Sequence, residues 1–467
     1  MKHKVEIFDI WQYLCGQLFN YDPLIMCRID FAGRIDVDIL KQAITLSQET
    51  IPLIMYSFDG GSRKPRWVDH GYTVDDIVRV ETVGASAPVD AGAGADAVVK
   101  AGALANASDG AEALVHKHMT SHMDFSAGPQ LRVTIVKNAR GGDILCATVS
   151  HILCDAVGFK QYLYLLCDLY TKLINGYELP QQKFARRGIK PLFAGMGPLK
   201  IMKIMRSSFV HSKSPDDHIQ GDLIHDDHIH DDHIQGDHIQ EGLDLKQGKP
   251  GIFIMKRSIS RNDFKAFRSY LKTHGATVND GLMALITRAF CKNTDTSRLH
   301  IPATMDLRKF IPPNIEYGIS NYSCDFICDV PIEAGDSPLN TITHVSNQTQ
   351  KIKTTPDILK TVLGLFIAVN MVSYTRLKTL FHRFTKMPNF LYTNFGVIDE
   401  EAMKFSDLQI NDMYMTTGIK PRPYLLFTIS TFKGQCTMGC NIQGSEGDEM
   451  FVERMFDDIC AEIASLV

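Results

Sequence analysis

The run VSHILCDAVGF, residues 149–159, sets a histidine and an aspartate four positions apart, His151 and Asp155. An imidazole with an unperturbed pKa near ~6.5 can take a proton from a hydroxyl or amine and return it to a leaving group. A carboxylate has other uses: it can cap a helix start by accepting backbone N–H bonds, or hold a cation. The spacing alone does not decide, because His-x-x-x-Asp occurs four times, at His151, His218, His228 and His233. The last three lie inside a five-residue repeat. His151 stands where an alternating apolar run ends and Asp155 where a helical pattern begins, and strand-end loops are where a rigid sheet displays working groups. Two plainer readings stand beside the catalytic one: Asp155 as an N-cap, and His151 as a histidine satisfied by a backbone carbonyl.

The elements that would position the pair are legible on both sides of it. QLRVTIVK (130–137) and DILCATVS (143–150) read as strands joined by a turn at NARGG. After the motif, apolar residues at 159, 162, 163, 166, 169, 170 and 173 give one helix face that ends near Gly176. Another helix is expected at Ile35–Glu49. Beyond the repeat come a strand at 251–260 and helices near 261–274 and 278–291. Strands at 424–431 and 435–443 follow, then a final helix over 447–466. Strands and helices interleave in both halves, so the fold class is α/β or α+β with mixed sheets.

A chain of 467 residues is long for one core and suggests two lobes. We divide it into a first lobe at 1–195, a connector at 196–250 and a second lobe at 251–467. Residues 83–113, Ala/Gly-rich and without a large aromatic, read as an insertion in the first lobe. In the connector, 216–240 repeats every five residues, which matches neither helix nor strand period, so no face can be buried continuously. It reads as a solvated connector; its alternating imidazoles and carboxylates could also take up metal.

The composition, 45% hydrophobic and 22% charged with a net charge of −4, is that of a globular protein with no basic stripe for nucleic acid. Glu6 and Asp9 interrupt what a signal peptide would keep apolar. TVLGLFIAVNMVSY (361–374) is too short to span a bilayer and reads as a buried helix. Eleven scattered cysteines suit reduced thiols in a cytoplasm. Cys324/Cys328 and Cys436/Cys440 lack zinc spacing and a nearby histidine, so no metal site is expected.

The motif resembles the His-x-x-x-Asp-Gly signature of the superfamily that includes chloramphenicol acetyltransferase, nonribosomal peptide condensation domains, plant acyl-CoA acyltransferases, wax ester synthases and alcohol acetyltransferases. Four further segments fall in the same order. DFSAGPQLRVTIV (124–136) resembles the Gly-Pro-x-x-Arg strand, and TVNDGLMALITRAF (277–290) the helix that opens with Asn-Asp. MDLRKFIPPNIEYGISNY (305–322) resembles a Leu-Arg…Gly-x-x-Asn segment. YTNFGVID (392–399) resembles the Asn-x-Gly segment of alcohol acetyltransferases and mycobacterial lipid acyltransferases. Three features depart: Ala156 follows the aspartate, Ser150 precedes the histidine, and NFGVI stands in place of the plant Asp-Phe-Gly-Trp-Gly signature. The last two suit a free-standing enzyme better than a synthetase module or a plant-type enzyme.

The resemblance implies two lobes of mixed sheets flanked by helices, with a channel between them. It implies an acyltransferase that moves an acyl group from a thioester to a small alcohol or amine, with His151 as general base. Acyl-CoA or acyl-pantetheine would be a substrate, with a carrier protein as the alternative donor, and neither a bound cofactor nor a metal is expected. Asp155 would point away from substrate and pair with an arginine, Arg308 in the first instance and Arg132 in the second. Gly158, Asn321, Asn394 and Gly396 fall at loop and channel positions. Arg308 and Asn394 should lie nearer His151 than most first-half residues do. The alternatives are a free-standing, condensation-like enzyme that makes an amide, and a catalytically silent binding module of the same fold.

Overall fold

The computed structural model describes residues 3–83, 108–138, 141–179, 185–197, 199, 201–202, 204, 251–333, 335–354, 358–385 and 388–467. The five-residue repeat, most of the connector and most of the Ala/Gly-rich stretch lie outside them. The first half supplies β1 (Leu24–Phe31), a hairpin of β2 (Tyr56–Asp59) and β3 (Arg66–Asp69), then β4 (Val78–Thr82), β5 (Leu131–Lys137) and β6 (Ile144–Ser150). The second half supplies β7 (Gly251–Ile259), β8 (Arg298–Asp306), β9 (Ser323–Pro331) and β10 (Phe390–Val397). It ends with β11 (Ile410–Thr417), the two-residue β12 (Lys420–Pro421), β13 (Leu425–Phe432) and β14 (Gln435–Gly444).

Two mixed sheets result. The first runs β11-β1-β6-β5-β4, antiparallel except where β4 meets β5. The second runs β12-β14-β13-β10-β8-β9, with β7 also paired to β14. Its β10 lies parallel to both β8 and β13. The sheets therefore do not follow the division at 1–195 and 251–467, because β11 leaves the second half to pair with β1. Side chains lock that crossing: Asn441 Nδ2 donates to Thr416 Oγ1 (3.1 Å) and to the Thr417 carbonyl (2.7 Å), and Met415 N donates to Ser430 Oγ (3.2 Å).

Alternation decides what covers each face of the first sheet. Leu131, Val133, Ile135, Leu145, Ala147 and Val149 point to one side, where Phe159, Leu163 and Leu166 of the helix Ala156–Asn175 pack. Val136, Ile144 and Cys146 point to the other, under Ala111, Val115 and Met119. These last three belong to a helix at Ser108–Thr120, so 108–113 is not insertion but the first turns of a docked helix. Composition misled there; the apolar spacing of four residues, Ala111 to Val115 to Met119, decides the element.

The apolar stretch 361–374 also differs from expectation. It forms the helix Ile358–Met371, of which Ile358, Leu359, Val362 and Leu363 are buried, while Met371 is 81% exposed. Ile358, Leu359 and Val362 pack into a core with Ile7, Leu192 and Tyr322, while Thr361, Val362 and Leu365 border a cavity. No described helix is long and apolar enough to cross a membrane. All eleven cysteines are free, and the described residues hold no cluster of three or more His, Cys, Asp or Glu placed for a metal.

Candidate active site

β6 carries the motif to the rim of its sheet, and the loop after it is held residue by residue. His151 N donates to the Pro23 carbonyl (2.7 Å) and Leu153 N to the Ser150 carbonyl (3.0 Å). Asp155 then starts the helix Ala156–Asn175 as its N-cap, Oδ1 accepting from Gly158 N at 2.8 Å. The plain reading of Asp155 is thus correct, and the second role exists with it. Both carboxylate oxygens accept from Arg308, Nη1 and Nη2 each at 2.9 Å, and Oδ2 also accepts from Tyr322 N at 2.6 Å. The aspartate and the arginine are both buried.

Arg308 has further partners, the Ser320 carbonyl (3.0 Å) and Asp306 Oδ1 (3.1 Å), and it lies against the Tyr322 ring. Burial works against its charge, but Asp155 and Asp306 outweigh burial and hold the Arg308 pKa above its ordinary value. Gly158 permits this approach. A Cβ there would stand 2.9 Å from Cys154 Cβ and 3.1 Å from the Ser320 carbonyl oxygen, so the second-half segment could not come as close. Ala156, the departure from the resembled motif, borders the cavity beside His151 and leaves the cap intact.

Asn321 fixes the imidazole. Its Nδ2 donates to the carbonyls of His151 (2.9 Å) and Ile152 (3.3 Å), which turns Oδ1 toward His151 Nδ1 at 3.0 Å. An amide oxygen can only accept, so Nδ1 carries the proton and Nε2 keeps its lone pair. Nε2 has no hydrogen-bond partner among the described residues. His151 is partly open to the cavity yet deep in the molecule. Burial pulls its pKa below the usual imidazole value, with Lys420 acting in the same sense and the nearby Asp155 and Asn321 opposing. A neutral, oriented imidazole is the consequence.

A second arginine, which nothing in the sequence marked, braces the same loop. Arg187 Nη2 donates to the Leu153 carbonyl (2.7 Å), and Nε to the Ile319 carbonyl (3.2 Å). Nη1 and Nη2 grip the wholly buried Asp9 at 3.1 and 2.8 Å. Asp9 also takes Trp67 Nε1 at 3.2 Å. The strap around Arg187 joins the second half again through Gly318 N to the Arg186 carbonyl (2.9 Å) and Tyr322 Oη to the Gly188 carbonyl (2.9 Å).

His151, Asp155, Arg308, Asn321 and Asn394 all border one cavity of about 270 Å³ between the sheets. Tyr21 and Pro23 enter from the first half, and Thr304, Asp325, Tyr392, Thr417 and Lys420 from the second. Asn394 Oδ1 accepts from Gly396 N (2.7 Å), and its Nδ2 donates to Asn279 Oδ1 (3.3 Å), which also takes Tyr392 Oη (2.9 Å). Gly396 does not border the cavity. It has φ +73°, a left-handed conformation that glycine adopts without strain, at the point where β10 breaks register with β13. The broken ladder leaves the Phe395 and Val397 carbonyls for Lys160 Nζ, at 2.6 and 3.1 Å.

Arg132 is a correction. It does not pair with Asp155. Its guanidinium donates to the carbonyls of His118, Ser121 and His122, each at 3.0 Å, and closes the end of the helix Ser108–Thr120. Alternation explains the miss: Arg132 is two residues from Thr134 and shares its face, opposite to Leu131 and Val133, on which the motif helix packs.

No family model and no curated protein matches the sequence. Solved structures do match in fold. The structure of polyketide synthase associated protein 5 from Mycobacterium tuberculosis superposes with a TM-score of 0.61 at 14% identity, covering 100% of both chains. The first condensation domain of the CDA synthetase gives 0.64 at 11% identity, covering 99% of this chain and 96% of that one. The epimerization domain from the third module of tyrocidine synthetase B gives 0.60 at 10%, covering 100% and 98%. At such identities the likeness is one of fold, and the chain has the two-lobed, mixed-sheet fold of condensation domains and chloramphenicol acetyltransferase.

Proposed function

We propose that the protein is an acyltransferase that moves an acyl group from a thioester, acyl-CoA or carrier-bound pantetheine, to an alcohol or amine. The observation that carries this reading is the tautomer of His151. With Nδ1–H committed to Asn321, the free Nε2 lone pair is available in a cavity bordered by both halves of the chain. The acceptor O–H or N–H gives its proton to Nε2 as its oxygen or nitrogen bonds to the thioester carbon. The tetrahedral intermediate then expels the thiolate, which takes the proton back from the imidazolium. No covalent enzyme intermediate is needed. Asp155 and Arg308 hold the loop and take no part in proton transfer.

Substitution of His151 tests this. His151→Ala should cut turnover by about 10²–10⁴, the scale of general-base catalysis, with the melting temperature little changed. Because burial lowers the His151 pKa, the base stays neutral further into acid than a free imidazole does. The acid limb of kcat/KM should therefore have its midpoint below ~6.5. Products from a panel of acyl-CoAs with alcohols and amines are read by mass spectrometry. Near-normal turnover in the alanine variant, or an acid limb centred above neutrality, removes His151 from the reaction.

A further inference from the structure

Lys420 is a cavity cation whose ammonium makes no ion pair or hydrogen bond among the described residues. The residue is 5% exposed and borders the same cavity as His151. The backbone that carries it is firmly placed. β12 pairs with β14 at Lys420 and Ile442, Gly418 N donates to the Leu24 carbonyl (3.0 Å), and Asn441 holds the Thr417 carbonyl. The ammonium lies 3.2 Å from the centroid of the Tyr21 ring, and no hydrogen bond or ion pair accompanies that contact among the described residues. Nearby Asp22 is committed elsewhere, to His122 Nδ1 (2.7 Å) and Met123 N (3.3 Å). Arg308, the other strong cation of the cavity, is spent on Asp155 and Asp306.

An aromatic face offsets only part of the cost of burying a charge. Burial accordingly pushes the Lys420 ammonium down to about 7. A buried, fixed and unpaired cation aimed into a reaction cavity is what an anionic ligand group would complete. The diphosphate of coenzyme A is a poor match, since the whole pantetheine arm separates it from the sulfur that must reach His151. Asp325 also borders the cavity, hydrogen-bonded to Thr304 Oγ1 (3.0 Å). Burial raises the Asp325 pKa, and the same desolvation bears harder on a dianionic phosphate, whose second charge the single ammonium leaves uncompensated, so a singly charged carboxylate fits better.

We propose that Lys420 binds a carboxylate on the acceptor, so that the acceptor class is a hydroxy acid or an amino acid. This rests on the acyl-transfer reading of His151. The carboxylate pairs with the ammonium, and the acceptor's own hydroxyl or amine is left to face Nε2.

Calorimetric titration with lactate, mandelate, salicylate, ricinoleate, leucine and phenylalanine, each beside its methyl ester, tests the pairing. It is run on the full chain and on Lys420→Met, Lys420→Arg and His151→Ala. At least one acid should bind the unaltered protein ten-fold or more tighter than its ester. That preference should vanish in Lys420→Met, return in part in Lys420→Arg, and persist in His151→Ala. Equal binding of acid and ester, no binding of any acid, or an unchanged preference in Lys420→Met overturns the proposal. So does an equal fall in turnover for acids and esters in Lys420→Met with acid binding unaltered, since Lys420 would then serve the thioester. If the acids bind as expected but no acyl-CoA is consumed with any of them, the carboxylate site stands and the acyl-transfer reading falls.

Discussion

Asp155 shows how one side chain serves two elements at once. Its carboxylate caps the motif helix and neutralises an arginine that arrives from a segment 153 residues later in the chain. Arg308 was legible only through the resemblance, which implies an arginine partner for Asp155 and whose Leu-Arg segment this chain matches at 305–322. The same resemblance admitted Arg132 as second choice because the two-residue alternation of its strand was not applied to it. Arg187 was not legible: neither its neighbours nor its spacing distinguish it from a surface arginine, and only the fold brings Asp9 and Leu153 to it. Asn321 lay in a matched segment, but its task, selecting the tautomer of His151, depends on two backbone carbonyls that no sequence shows. Asp155→Ala removes the cap and leaves Arg308 buried with only Asp306 as an acid partner. Stability should fall by roughly 3–5 kcal/mol, the usual cost of breaking a buried pair, as read by denaturant unfolding. Asp155→Ala combined with Arg308→Met should recover a good part of that loss, because the stranded charge is gone. If stability barely moves while turnover disappears, Asp155 acts in the chemistry itself and the structural role is wrong.

At the scale of elements, five strands (β5, β6, β7, β13 and β14) and helices such as Ala156–Asn175 and Val278–Lys292 were readable, because each has the alternation or the three-to-four spacing of a half-buried surface. The helix Ser108–Thr120 was hidden by its Ala/Gly-rich approach, and it carries a group that ties its docking to pH. His118 is buried between the two strands it covers, Nδ1 at 2.7 Å from Thr134 Oγ1 and Nε2 at 3.0 Å from Thr148 Oγ1. Burial lowers its pKa to about 3, and Arg132 and Arg79 act in the same direction. The unfolded chain has an ordinary imidazole there, so it binds a proton below ~6.5 that the folded chain refuses. Stability from this group is therefore complete above that pH and declines as pH falls, by about 1.4 kcal/mol for each unit. His118→Gln keeps a donor and an acceptor but does not titrate. Between pH 7 and pH 5 the unaltered protein should lose about 2 kcal/mol more than this variant. Parallel stability curves for the two would show that His118 takes its proton without leaving its site.

For the whole molecule, sequence suggested two lobes in series, but the structure makes them interdependent. β11 closes the edge of the first sheet beside β1, which would otherwise expose a row of unpaired backbone groups. Arg308 neutralises Asp155, Asn321 orients His151, and Lys160 ties the motif helix to β10. No periodicity could announce these crossings, since each joins residues more than 150 positions apart and depends on how the sheets meet. The consequence is a sharp contrast between two ways of interrupting the chain. Expressed alone, residues 1–195 should aggregate or lack a cooperative unfolding transition, because the first sheet loses a strand and Asp155 its cation. Replacing residues 213–246 by a short Gly/Ser linker keeps both halves in one chain and removes only the segment whose five-residue period suits no buried face. Turnover and melting temperature should then stay close to those of the unaltered protein. Circular dichroism melts and the acyl-CoA product panel read both cases. A cooperative, native-like melt from residues 1–195 alone would mean that the first sheet closes without β11. Collapse of the linker variant would mean that the repeat holds the two halves in register.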